Sequence, residues 1–116
     1  MFASKKLSKI EGETFFNCIN LKSITIPESV TSIGNNAFLS CTGLKNITIP
    51  KKVKSIGDYA FSGCTALSKV TVPKSITSIG KYAFDECKSL KSITIPESIT
   101  EMGEWPFPYW TQVNYK

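Results

Sequence analysis

Apolar and polar residues alternate in a short run that returns throughout the chain. In Leu21-Lys-Ser-Ile24-Thr-Ile26-Pro27, every second residue at the end of the run is large and apolar, the period of a half-buried strand. The run recurs at Leu44, Leu67 and Leu90, so the pattern predicts one strand per repeat. Pro27, Pro50, Pro73 and Pro96 follow, and proline cannot donate to a sheet ladder. Each therefore marks where the strand leaves the sheet and the chain turns a corner. A second apolar pair, as in Val30-Thr-Ser-Ile33, predicts another short extended stretch on the opposite side. Gly34 and its equivalents Gly57, Gly80 and Gly103 then supply either a positive φ or room for close backbone approach. Ala37-Phe38 and Cys41 should return inward over a tight helical or 3₁₀ turn.

Cys18, Cys41, Cys64 and Cys87 fix the spacing of this unit at about 23 residues. A unit of that size cannot bury its own apolar face, and a period between about 20 and 50 residues belongs to a solenoid whose coils stack on copies of themselves. Stacking puts Ile24, Ile47, Val70 and Ile93 in one interior column, spaced about 4.8 Å along the axis. Phe15, Phe38, Phe61, Phe84 and Phe107 should form a second.

In the middle of the chain the unit reads Leu44-Lys-Asn-Ile47-Thr-Ile49-Pro50-Lys-Lys-Val53-Lys-Ser-Ile56-Gly57-Asp-Tyr-Ala60-Phe61-Ser-Gly-Cys64. It resembles the BspA-type leucine-rich repeats, whose unit is approximately L-x-x-I-x-I-P-x-x-V-x-x-I-G-x-x-A-F-x-x-C. The resemblance runs from roughly residue 7 to residue 107, with some ten positions recurring together in register. It implies a leucine-rich-repeat solenoid of the α/β horseshoe class, rich in β-structure. A parallel β-sheet would line the concave face, with short strands and 3₁₀ or helical turns on the convex side. It also implies protein binding, often as a bacterial or protist surface protein or adhesin, and it carries no catalytic residues.

The whole chain reads as a single repeat domain, with a degenerate capping repeat over 1–17, consensus repeats over 18–103 and an aromatic, proline-rich cap over 104–116. Glu11 stands where glycine is expected, Thr14 where alanine is, and Ser4 where proline is. At the other end, Trp105-Pro106-Phe107-Pro108-Tyr109-Trp110 puts proline at the alanine position and tryptophan at the cysteine position. Prolines remove backbone donors there and the aromatic groups can cover apolar edge. Counting by the repeat aligns Val113 with the next leucine, which predicts a last edge strand over Gln112 to Tyr115.

Composition adds exclusions. The chain has 41% hydrophobic and 20% charged residues, with no apolar run near the ~18 residues of a membrane span. It contains no histidine and no arginine, so histidine-based triads and dyads are impossible. Acid pairs such as Glu11 with Glu13, and Asp85 with Glu86, are near neighbours in sequence rather than convergent groups, and no phosphate-cradling glycine loop occurs. The reading is not an enzyme, with no cofactor. Evenly spaced single cysteines are unlike zinc pairs, and parallel thiols in a ladder suit buried free sulfur better than disulfides. Met1-Phe-Ala-Ser-Lys-Lys-Leu is too polar for a signal peptide, which as written places the chain in the cytoplasm. The family resemblance, or excision from a larger protein, would place it at the cell surface.

The net charge of +5 comes from lysine alone. Glu28, Lys51, Lys74 and Glu97 fall in one surface column, Asp58, Lys81 and Glu104 in another, so the alternation of sign reads as stacking electrostatics. Lys51, Lys52, Lys54 and Lys74 form a basic patch, but without arginine or interleaved aromatics it does not point to nucleic acid.

Two surfaces stand out as candidates for binding a protein partner. The sheet should display Ser23, Asn46, Lys69 and Ser92 in one column and Thr25, Thr48, Thr71 and Thr94 in the next, flanked by Lys22, Lys45 and Lys91. Against a binding role, threonine simply favours strands. The other surface is a stripe of Tyr59, Tyr82 and Trp105, headed by Asn36. It is either a carbohydrate platform or a column of rings stacked on one another, and exposure separates the two.

Overall fold

The computed structural model describes residues 7–116, and among these it contains short strands and turns but no helix. Ser4 lies outside the described residues. The chain winds into a solenoid of about five turns held by parallel β-pairing.

The continuous ladder is built from the second extended stretch of each unit. β1 (Lys9–Ile10), β2 (Ser32–Ile33), β4 (Ser55–Ile56), β6 (Ser78–Ile79) and β8 (Glu101–Met102) form a five-stranded parallel sheet. Its register puts Ile10 beside Ile33, Ile33 beside Ile56, Ile56 beside Ile79 and Ile79 beside Met102. The four isoleucines are buried, and Met102 is exposed. The strands predicted from Leu-x-x-Ile-x-Ile are less continuous. β3 (Asn46–Thr48) pairs with β5 (Lys69–Thr71), and β7 (Ser92–Ile95) pairs separately with β9 (Gln112–Tyr115). Val72, which replaces isoleucine in its column, is half-buried where Ile49 and Ile95 are buried. The equivalent segment of the first unit forms no strand, and the backbone bond from Lys45 N–H to Lys22 C=O is long, at 3.4 Å. There Leu21 and Ile24 are only partly covered, so the apolar clamp that holds later strands in place is weaker.

The proline corners form as expected. Val30, Val53, Ile76 and Ile99 each donate a backbone N–H to the carbonyl of the proline three residues earlier, at 3.1–3.4 Å. Glycine is required at Gly34, Gly57 and Gly80 for close approach, not for a positive φ. A Cβ on Gly57 would lie 2.6 Å from the Asn35 nitrogen, and one on Gly80 2.5 Å from the Asp58 nitrogen. Two side chains of the coil before complete this contact: Asn35 Oδ1 accepts from Asp58 N–H at 2.8 Å, and Asp58 Oδ1 accepts from Lys81 N–H at 3.0 Å.

The return segment differs from the helical or 3₁₀ turn the sequence predicts. Its backbone donors alternate between two destinations. Asn36, Phe38 and Ser40 donate to Asp58, Ala60 and Ser62 in the next coil at 2.7–2.9 Å, whereas Leu39 and Cys41 donate back three residues within their own coil. Left-handed residues make this alternation possible. Asn36 (φ 61°) and Ser40 (φ 62°) break any run of helical dihedrals, as do Tyr59 and Gly63 in the next coil and Tyr82 and Glu86 after that. Each coil thus gives up a helix's internal bonds and gains a second ladder to its neighbour.

Between the ladders, the phenylalanines form the expected column. Rings stack face to face at 5.1 Å for Phe15–Phe38 and Phe38–Phe61, 5.2 Å for Phe61–Phe84 and 5.7 Å for Phe84–Phe107. Cys41, Cys64 and Cys87 are buried beside them as free thiols, each donating to a phenylalanine carbonyl of the preceding coil at 3.1 Å.

The last coil breaks the count. β9 does lie over Gln112–Tyr115, but Val113 sits beside Ile93, not at the leucine position that counting assigns to it. Thr111 takes the leucine's place: it donates to Pro108 as Leu90 donates to Cys87, and its buried hydroxyl bonds the Leu90 carbonyl at 2.7 Å. Pro108, not Trp110, is therefore the buried residue at the cysteine's turn. Tyr109 and Trp110 do not cover apolar edge as expected; they project into solvent, packed edge to face at 5.2 Å.

Candidate binding surfaces

The alternation that buries Ile47, Val70 and Ile93 turns their neighbours outward. Asn46 and Thr48 on β3, Lys69 and Thr71 on β5, and Ser92 and Thr94 on β7 are all exposed, with Lys45 and Lys91 just before them. Lys22, Ser23 and Thr25 are exposed as well, although no strand carries them. The structure thus brings the predicted face together across three strands and leaves its first row on a loop. A shallow depression of about 320 Å³ runs between the β5 and β7 rows, lined by Lys69, Thr71, Ser92 and Thr94 among others.

The aromatic stripe divides. Tyr59 and Tyr82 are half-buried and stacked on each other at 5.3 Å, whereas Trp105 is 68% exposed. Trp105 and Tyr82 border a separate open cavity of about 320 Å³, closed by Asp85, Glu86, Phe107, Pro108, Tyr109 and Trp110. Spacing alone did not reveal this cavity, because the shortened last coil, which the repeat count does not show, is what sets Tyr109 and Trp110 along its rim.

The expected charge columns do not form ion pairs. Among the described residues the one ion pair is Lys88 Nζ to Glu86 at 3.7 Å, between two exposed side chains. Asp58 faces Lys81 as predicted, but binds its backbone N–H rather than its ammonium. The thiols are chemically quiet. Burial, with a smaller contribution from the neighbouring thiol, pushes Cys41 up to about 11 and Cys64 up to about 12, and Cys87 is raised further still. No group of three or more acidic or cysteine side chains among the described residues is arranged to hold a metal. No helix among them is long and apolar enough to cross a membrane.

Repeat spacing, parallel ladders and the phenylalanine column together define a leucine-rich-repeat solenoid. The chain belongs to the BspA type leucine rich repeat region family, matching it over residues 2–114 in six copies. Several solved structures are similar. A leucine-rich repeat protein from Bacteroides ovatus is 39% identical with a TM-score of 0.85, over 94% of this chain and 28% of that one. A leucine-rich cell surface protein from Faecalibacterium prausnitzii is 38% identical with a TM-score of 0.82, over 95% of this chain and 31% of that one. The leucine-rich repeat protein of T. pallidum is 33% identical with a TM-score of 0.82, over 84% of this chain and 45% of that one. This chain therefore spans less than half the length of each of the three. No curated protein sequence matches it.

Proposed function

We propose that this chain is a non-catalytic protein-binding module, a scaffold or adhesin-like unit, that meets its partner through the outward rows of β3, β5 and β7. The observation that carries this reading is the outward projection of Asn46, Thr48, Lys69, Thr71, Ser92 and Thr94 from adjacent strands, with Lys22, Lys45 and Lys91 alongside. Such a face offers hydrogen-bond donors and positive charge on a backbone fixed by the buried isoleucines behind it, and rigidity lowers the ordering cost of association. The adhesin form is supported by the family and by the cell-surface description of the Faecalibacterium prausnitzii protein.

The test is a binding screen of the immobilised chain against purified bacterial and epithelial surface proteins. A variant with Lys22, Lys45, Lys69 and Lys91 changed to Glu should lose about tenfold or more for any partner found, the scale of several charge contacts. The control Lys54→Glu/Lys81→Glu, placed away from those strands, should bind normally. Equal binding by both variants would move the interface elsewhere. Labelling intact source cells with an impermeant amine reagent separates the two forms: modified lysines favour the adhesin, and protection until lysis favours the scaffold.

Carbohydrate binding through the aromatic residues is the second reading, kept because Trp105 remains exposed. It predicts sugar-induced tryptophan fluorescence that Trp105→Ala abolishes; a flat response across a glycan panel sinks it.

A further inference from the structure

The cavity at the last turn combines an aromatic wall with negative charge, in a chain whose overall charge is positive. Tyr82, Trp105, Tyr109 and Trp110 supply ring faces and edges, and Phe107 and Pro108 the apolar surface behind them. Asp85 and Glu86 bring two carboxylates to the same opening. Lys88 offsets part of the Glu86 charge at 3.7 Å, while Asp85 makes no ion pair among the described residues. A neutral sugar would stack on the rings and donate its hydroxyls to the carboxylates, but it would leave their negative charge uncompensated. A cation uses both and neutralises that charge, because ring faces attract it through their quadrupole and the carboxylates attract it directly. At about 320 Å³ the space is at the small end of ligand sites, suited to one side chain rather than an extended ligand.

We infer that the cavity formed by Tyr82, Asp85, Glu86, Trp105, Tyr109 and Trp110 captures a lysine or arginine side chain of a basic segment on a protein partner. This shares with the proposed function only that the partner is a protein. The cavity lies apart from the outward rows of β3 and β5, so either surface can fail without the other.

The chain's two tryptophans, Trp105 and Trp110, both line the cavity, so intrinsic fluorescence reports on it selectively. The full chain is titrated with glycine-flanked lysine and arginine peptides, with the Nε-acetylated lysine peptide, and with neutral oligosaccharides. A saturable change is expected for the two cationic peptides, weakened about tenfold by acetylation and about tenfold by Asp85→Asn/Glu86→Gln, the scale of a cation–π contact joined to one charge pair. Added salt should weaken it further, and Thr48→Glu/Thr71→Glu should leave it unchanged. All of these substitutions fall on exposed or half-exposed side chains, and circular dichroism confirms that each variant is folded. Equal response to the acetylated peptide, response to sugars alone, or no saturation at tens of millimolar would each overturn the inference.

Discussion

Phe61 and Phe107 occupy equivalent positions, yet their surroundings differ. Phe61 lies between two nearly parallel rings, 5.1 Å from Phe38 at 3° and 5.2 Å from Phe84 at 5°. Phe107 stacks on one side only, at 5.7 Å and 20°, and is partly covered. In a middle coil the buried apolar groups pack against coils on both sides and alternate turn donors bond the next coil, so the sequence must repeat faithfully. Among the described residues the coil that carries Phe107 stacks on one side. The chain there drops residues, replaces cysteine and leucine with Pro108 and Thr111, and exposes the rings it no longer stacks. Conformity to the repeat is thus highest where a coil packs on both sides.

The strongest way to break this contrast is to truncate both rings. Phe61→Ala should cost about 3–5 kcal/mol, as full burial and a two-sided stack imply, and Phe107→Ala less than about 3 kcal/mol. Urea unfolding measures both; equal losses would mean that the end coil is packed as tightly as the middle. Next in size is Gly80→Ala, whose Cβ would meet Asp58 Oδ1 at 2.4 Å and the Gly57 carbonyl carbon at 2.6 Å. Pushing two coils apart should cost about 1–3 kcal/mol. At Gly12 the nearest atom is the Asn35 oxygen at 3.1 Å, so Gly12→Ala should cost less than about 1 kcal/mol by the same measurement.

The thiols sharpen the contrast through pH. Cys64, raised from 9.0 to about 12, and Cys41, raised to about 11, stay protonated in the fold at pH values where the unfolded chain ionises. The folded state then binds more protons, so stability is complete below pH 9 and falls progressively from pH 9 toward 12. Unfolding midpoints across that range test it; Cys64→Ala should flatten the fall. Ellman's reagent at pH 8 should react with half-buried Cys18 well before buried Cys41, Cys64 and Cys87.

The smallest effect is expected at the left-handed positions. Glu86→Gly, which copies Gly63 of the preceding coil, should stabilise by about 0.5–1 kcal/mol while removing a carboxylate from the cavity. A loss of stability instead would show that Glu86 makes contacts worth more than its backbone conformation costs.

Much of this was legible in the sequence because a repeat displays its own columns. The isoleucine and phenylalanine ladders, the proline corners, the glycine column and β9 all follow from spacing and side-chain type. The errors share one origin, which is that spacing gives position along the axis but not what happens to the backbone there. Ala37-Phe38 and Cys41 look helical by spacing, whereas the φ of Asn36 and Ser40 decides otherwise. Asn and Ser tolerate that conformation, and they were a readable warning; Tyr59 in the same column was not. Counting placed Val113 three positions away from its partner, because a shortened coil cannot be seen from a period fixed by the coils before it. The charge columns paired less than expected since exposed lysines gain little by settling on one carboxylate. Asn35 and Asp58, whose side chains cap the next coil, went unnoticed, although an Asn or Asp directly after a required glycine often bonds nearby backbone.

The uniform register has a consequence for how such a chain changes size. Ser32 lies beside Ser55 and Ser55 beside Ser78, and many side-chain bonds join residues 23 apart. Recombination that inserts or excises one full unit between β2 and β6 therefore rejoins surfaces already matched to each other. Length becomes a heritable variable that moves in whole coils, free of any redesign of the core. The join between β7 and β9 follows a different offset, which makes it the part of the array that a copying error cannot exchange for its neighbours.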